Sequence, residues 1–245
     1  MKYENVTVGT FVSRPNRFIA HVMLDGEMAV CHVKNTGRCR ELLVPGARVV
    51  LSAADNPARK TKYDLIAVWK GDMLINMDSQ APNIAFGEWA RRTGFPDGLA
   101  ELRTETKYGN SRFDFYYRIA GETAIGSPGD KECLYNSRNG EGFIEVKGVT
   151  LETGGVAAFP DAPTERGAKH VRELIKCREN GFGAYIAFVV QMPGMKYVTP
   201  NTATDPDFAA ALRDAEAAGV QIIALECAVT PDSMEISGFL PVKLD

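Results

Sequence analysis

From the N-terminus to about residue 75, short apolar stretches alternate with turn residues. Five stretches read as strands: TVGTFVSRP, RFIAHVMLDG, EMAVCHVKN, ARVVLSAAD and YDLIAVWKG. In the second, Arg17-Phe18-Ile19-Ala20-His21-Val22 alternates polar with apolar positions, as a half-buried strand does. Asp25-Gly26 is a hairpin signal between the second and third, and Pro45-Gly46 marks a turn before the fourth. The period then changes in SQAPNIAFGEWARRTGF. Pro82 suits a helix start, Ile84, Phe86, Trp89 and Ala90 supply apolar positions, and Gly94 suits the end. This helix is expected to cross between two halves of the chain.

The second half carries two-sided patterning. SRFDFYYRI sets Phe113, Phe115, Tyr117 and Ile119 against Arg112, Asp114, Tyr116 and Arg118. NGEGFIEVKGVTL is the next strand, and APTERGAKHVRELIKCRENG is an amphipathic helix with Pro163 in its first turn and Gly181 at its end. FGAYIAFVVQM is nearly all apolar, so it reads as a central strand covered on both faces. DPDFAAALRDAEAAG is a helix with Asp205 as N-cap, Pro206 at its first position and Gly219 past its end; VQIIALECAV is a further buried strand. The expected fold is α/β with an all-β N-terminal domain, divided at about residues 1–80 and 81–245. Five short strands with a basic surface fit an OB-like barrel, an architecture that binds oligonucleotides.

Composition narrows the classes. Hydrophobic residues make up 45% of the 245, yet no apolar run approaches the ~18 residues of a membrane span. MKYENVTVGTF lacks the apolar core of a signal peptide, so a cytoplasmic protein with no membrane partner is expected. Five scattered cysteines without a C-x-x-C argue for buried thiols rather than disulfides or a zinc site. The net charge of −3 conceals an asymmetry: Lys34–Lys70 holds eight bases and three acids, and the chain beyond it sums to −8. A basic N-terminal part on an acidic remainder points to two functions on one chain.

The chemistry concentrates in IEVK. Alternation puts Glu145 and Lys147 on one strand face and Ile144 and Val146 on the other. Glu-x-Lys alone is weak, since Glu105 and Lys107 form a second one. Asp114 on the preceding strand strengthens it. Two carboxylates on adjacent strands suit a hard divalent cation, and a lysine beside them can orient water or stabilise phosphoryl charge. The alternative is a salt bridge among strand-face charges. In HVKNTGRCREL, Lys34, Arg38 and Arg40 surround Asn35, Thr36 and Gly37 in a turn suited to phosphate. Arg14, Arg17, Arg59, Lys60 and Lys62 extend that surface; Phe18 and Tyr63 would stack on bases or belong to the core.

The arrangement Asp114, Glu145, Lys147 resembles the PD-(D/E)xK restriction-endonuclease-like core, although Phe113 stands where that family has proline. Many members place a further acid on a helix ahead of the first catalytic strand, a region that Glu105 occupies here, with Glu101 as competitor. RPNRFIAHV, HVKNTGRCRELLVPGA, RKTKYDL, KYGNSRFDF, IEVKGVTL and FPDAPTERGAKHVREL together resemble the sugar fermentation stimulation protein family over nearly the whole chain. That resemblance implies an OB-like domain followed by a PD-(D/E)xK nuclease-like α/β domain, DNA binding, and a regulatory role in sugar metabolism. It implies a metal site of Asp114, Glu145 and Glu105 taking Mg2+ or Mn2+, with Lys147 as the water-activating residue. It also sets Thr164, Arg166, Lys169 and His170 at a helix N-terminus facing a phosphate backbone. The expected partner is DNA, with RNA as the alternative. A non-catalytic DNA-binding regulator and a metal-dependent enzyme acting on a small phosphorylated metabolite are the competing readings.

Overall fold

The computed structural model describes residues 1–35, 37–54, 56, 58–109, 111–120 and 140–245. In the N-terminal half, β1 (Val6–Asn16), β2 (Ile19–Leu24), β3 (Glu27–Val33), β4 (Arg48–Ala53), β5 (Tyr63–Lys70) and β6 (Met73–Asn76) form one sheet. It runs β3-β2-β1-β4-β5-β6, and a β3–β5 pairing closes the first five strands into a barrel. This is the expected OB barrel. Strand β6 was not legible in the pattern; it is a four-residue hairpin partner of β5. Closure buries Phe11, Val22, Cys31, Val49 and Leu65 and leaves no free edge between β3 and β5.

The chain then passes through α1 (Ala81–Thr93), β7 (Leu99–Tyr108), β8 (Ser111–Ile119), β9 (Glu141–Val149), β10 (Leu151–Thr153) and β11 (Val156–Phe159). It continues through α2 (Glu165–Glu179), β12 (Gly183–Val190), β13 (Tyr197–Pro200), α3 (Pro206–Ala217), β14 (Gln221–Thr230) and β15 (Ser233–Leu240). The main sheet runs β15-β14-β12-β9-β8-β7, with β9, β12 and β14 parallel. Every residue of β12 is buried, as its apolar run requires. Helix α1 packs on one face, with Phe86 and Ala90 against Ile144 and Val146; α2 and α3 cover the other, with Leu174 and Leu212 beside Phe143 and Ile186. Helix signals held: Gly94 takes a left-handed φ of 73° past α1, and Asp205 caps α3 by accepting from Phe208 N at 2.9 Å. Among the described residues no helix is long and apolar enough to cross a membrane.

Two local expectations are corrected. The segment holding Glu105 is strand β7, not a helix, because it pairs with β8 from Leu99↔Ile119 to Tyr108↔Ser111. Pro163 lies just outside α2; Thr164 is the N-cap. The patterning of β8 also breaks locally. Phe113 and Phe115 join opposite cores. The break falls at Asp114, across from Glu105 with its φ of 53°.

Side-chain and backbone bonds lock the two halves together. Gln191 Nε2 donates to Asn76 O and Asp78 O at 3.0 and 3.1 Å, while Asn76 N donates to Gln191 O at 2.9 Å. Arg38 N donates to Asp161 Oδ2 at 3.2 Å across the same junction, and within the N-terminal half Lys34 Nζ lies 2.6 Å from the buried Asp78 carboxylate. Cys31, Cys39, Cys177 and Cys227 are free and buried. Burial pushes their thiols up, to about 11 for Cys31 and about 12 for the other three.

Candidate active site

Strands β8 and β9 pair in register from Arg118↔Glu141 to Phe115↔Ile144, and there the backbone ladder stops. The Asp114 side chain takes over: its Oδ2 accepts from Val146 N at 2.8 Å. Its Oδ1 accepts from Asn83 Nδ2, in the first turn of α1, at 2.7 Å. Each carboxylate oxygen of Asp114 thus has one donor, which fixes the rotamer. On β9, Phe143 and Val149 pack with α2 and α3, so Glu145 and Lys147 between them face the same side, while Ile144 and Val146 pack against α1.

Glu145 is 3% exposed. Two donors converge on one of its oxygens: Lys147 Nζ reaches Oε1 at 2.6 Å and His170 Nδ1 at 2.5 Å. The imidazole nitrogen donates, since a carboxylate accepts. The other oxygen, Oε2, is buried and has no hydrogen-bond partner among the described residues. Helix α2 delivers His170: Val171 and Leu174 bury its apolar face, and Thr164 Oγ1 caps it by accepting from Gly167 N at 3.0 Å. Phe113 packs against the imidazole with ring centroids 6.3 Å apart.

Burial chiefly, and then the neighbouring Glu145 charge, push the Asp114 carboxyl up to about 6, against the opposing bonds from Val146 and Asn83 and the charge of Lys147. Burial also works to raise the Glu145 carboxyl, but His170 and Lys147 outweigh it and hold that group below its ordinary value. The two acids therefore differ. Glu145 is a fixed carboxylate with one bare oxygen, and Asp114 carries a charge that the fold alone does not fully compensate.

The structure brings Asp114, Glu145, Lys147 and His170 together and leaves Glu105 at the margin. Glu105 lines the same open cleft as Asp114 and Asn83, but it is exposed, and its carboxylate meets Arg112 at 3.3 Å. Glu101 pairs with Arg103 and Arg118. Arg166 and Lys169 line a shallow pocket with Arg112 and His170, whereas the Thr164 hydroxyl is occupied by the cap. Among the described residues no group of three or more His, Cys, Asp or Glu side chains is arranged to enclose an ion.

In the barrel, Arg14 is a structural clamp, donating to the carbonyls of Gly37, Arg38, Arg17 and Asn35 at 2.7–2.9 Å. Asn35 is spent on Met77 O and Gly37 N, Lys34 on Asp78, and Arg59 on Asp64. Lys62 lies over the Tyr63 ring, and Lys60 is exposed. Arg17, Arg38 and Arg40 are exposed around one pocket. Thr36 lies outside the described residues, as does Cys133. Sequence reasoning missed Asn83 and the role of His170 as a partner of Glu145. The one cue was a polar residue in the first turn of an otherwise apolar helix start; nothing local connects Asn83 to Asp114, 31 residues on.

Comparison with known proteins places both halves. Residues 12–77 match the family model described as "SfsA N-terminal OB domain", and residues 80–233 match "Sugar fermentation stimulation protein RE domain". A "Sugar fermentation stimulation protein homolog" of Desulfitobacterium hafniense (strain DSM 10664 / DCB-2) is 52% identical over 244 residues, covering 100% of this chain and 99% of its own. Its namesake from Clostridium beijerinckii is 47% identical over 244 residues, covering 100% of both chains. A solved structure, "The structure of Pyrococcus Furiosus SfsA in complex with Ca2+", is similar with a TM-score of 0.84 at 27% identity, over 99% of this chain and 98% of that one.

Proposed function

This chain belongs to the sugar fermentation stimulation protein family, and from the geometry of its site we propose that it hydrolyses phosphodiester bonds of nucleic acid with a bound divalent cation, Mg2+ or Mn2+. One observation carries this reading: Glu145 keeps a bare, buried oxygen beside a second carboxylate, Asp114, whose charge is resisted by burial. A buried polar atom without a partner costs roughly 1–3 kcal/mol. A cation held between Asp114 and Glu145 would satisfy the bare oxygen and offset both charges. The donor set is oxygen, which suits hard cations. The Pyrococcus furiosus relative, solved in complex with Ca2+, supports an oxygen-ligand ion in this fold. With two carboxylates, the remaining coordination positions fall to water and substrate oxygens, which Mg2+ tolerates well.

When bound, such an ion lowers the pKa of a water and offsets charge on the phosphoryl oxygens. The protein's own groups do the rest. His170 and Lys147 hold Glu145 by one oxygen so that the other stays free. Asn83 and the Val146 amide fix Asp114. Lys147, whose side chain is 14% exposed, would bond a water or stabilise negative charge developing on phosphate. Arg112, Arg166 and Lys169 supply positive charge beside His170 for the backbone of the substrate.

The test is incubation of purified protein with single-stranded, duplex and branched DNA, with and without Mn2+. Cleavage that needs Mn2+ and disappears in Lys147→Ala, while binding persists, is the expected result. Binding with no cleavage under any metal condition would leave a non-catalytic DNA-binding regulator. Equal cleavage by Lys147→Ala removes that lysine from the mechanism.

A further inference from the structure

The β1–β2 turn presents two side chains on a pinned backbone. Asn16 pairs with Ile19 across it, and Asn16 Oδ1 accepts from Phe18 N and Ile19 N at 2.9 and 3.1 Å. Phe18 O accepts from Val33 N at 2.8 Å, and Arg17 O accepts from Arg14 at 2.7 Å. The side chains of Arg17 and Phe18 themselves point outward. Phe18 is 46% exposed, with the Arg17 guanidinium 5.0 Å from its ring centroid.

Beside the turn lies an open pocket of about 670 Å³. Arg17, Arg38 and Arg40 line it, over a floor that includes Phe11, Leu43 and Pro45. Among the described residues none of the three guanidinium groups pairs with a carboxylate; Arg38 meets Asp161 only through its backbone N–H. Gly37 lines both this pocket and a cleft of about 320 Å³ between the two halves, whose far wall includes Gly148, next after Lys147. Arg14, donating to Gly37 O and Asn35 O, and the bond from Arg38 N to Asp161 fix the backbone that borders both spaces.

We propose that the Arg17–Phe18 turn, with Arg38 and Arg40, is a recognition site for unpaired nucleotides, and that the nucleic acid taken by this protein is single-stranded. In a duplex the base faces are hidden in the stack, so only an unpaired base can lie on Phe18. Unpaired guanidiniums around an apolar floor match alternating phosphates and bases. The pocket shares Gly37 with the cleft that borders the strand carrying Glu145 and Lys147. This deepens the nucleic-acid reading above but does not depend on cleavage.

The experiment is fluorescence-anisotropy binding of a short labelled single strand and of a blunt hairpin duplex containing the same sequence, its turn closed by a non-nucleotide linker so that no base is unpaired, in EDTA. Wild type is expected to prefer the single strand. Phe18→Ala should weaken single-strand binding by roughly tenfold, the scale of one base–aromatic stack, while Phe18→Trp retains it. Hairpin binding should not respond to either change. Phe18 is surface-exposed, so the fold does not rest on it. Arg38→Ala and Arg40→Ala should each flatten the log–log salt dependence by about 0.7, one phosphate contact on a single strand. Equal affinity for the hairpin and the single strand, unchanged single-strand binding by Phe18→Ala, or no binding of either ligand overturns the proposal. Cleavage is not read, so a protein that binds single strands without cutting them upholds this inference while refuting hydrolysis.

Discussion

Asp114→Asn is expected to make the protein more stable and to abolish its proposed chemistry. The carboxyl of Asp114 is raised from 3.8 to about 6, chiefly by burial and by Glu145. At about 1.4 kcal/mol per pKa unit, keeping that group ionised at neutral pH costs the fold roughly 3 kcal/mol. The amide removes the charge and nearly preserves the shape. Its oxygen can still accept from Val146 N, and Asn83 can turn its own amide to present oxygen to the new NH2 group. Allowing about 1 kcal/mol for imperfect hydrogen bonds, the net gain at pH 8 is about 1–3 kcal/mol. In a chain of this size that raises the melting temperature by about 2–4 °C per kcal/mol.

The sign of the pH dependence is fixed by linkage. Because the folded pKa is the higher one, the folded state binds more protons than the unfolded state between 3.8 and about 6. Wild type therefore loses stability through this site as pH rises across that window, and Asp114→Asn does not. Urea unfolding in EDTA at pH 4 and pH 8 measures both. The two proteins should be close at pH 4 and separate at pH 8, with the mutant ahead. Added Mn2+ should then stabilise wild type and leave the mutant unmoved. A mutant less stable than wild type at pH 8, or a gap that ignores pH, would refute the electrostatic account of the site.

Glu105→Ala should weaken Mn2+ binding, read by calorimetry, far less than Asp114→Ala, because its exposed carboxylate already meets Arg112; an equal loss would put Glu105 among the ligands. Gln191→Leu removes the side-chain donor shared by the buried Asn76 and Asp78 carbonyls, leaving Asp78 O with Ala81 N alone, and should cost about 1–3 kcal/mol in urea unfolding. An unchanged midpoint would show that this contact does not lock the halves. Gly183→Ala places a methyl group 1.8 Å from the Tyr117 hydroxyl, so a loss of at least about 1–3 kcal/mol is expected. A mutant melting with wild type would contradict the packing of β8 against β12.

The pattern of apolar residues was enough to specify the barrel strands, the three helices and the buried central strands. It also set Glu145 and Lys147 on one face, because alternation along a strand is a local property of the backbone. Helix ends were equally legible, since Gly94, Asp205 and Gly219 act through their own neighbours. Short or edge strands escaped: β6, β10, β11 and β13 have three or four residues each, too few to show a period, and depend on pairing with distant partners. The site divides in the same way. Residue type and spacing nominated Asp114, Glu145 and Lys147. Tertiary structure alone decided that Asn83 holds Asp114, that His170 shares a Glu145 oxygen with Lys147, and that Glu105 turns away toward Arg112. Packing three elements around β9 sets which carboxylate oxygen is left bare, and no stretch of sequence contains that information.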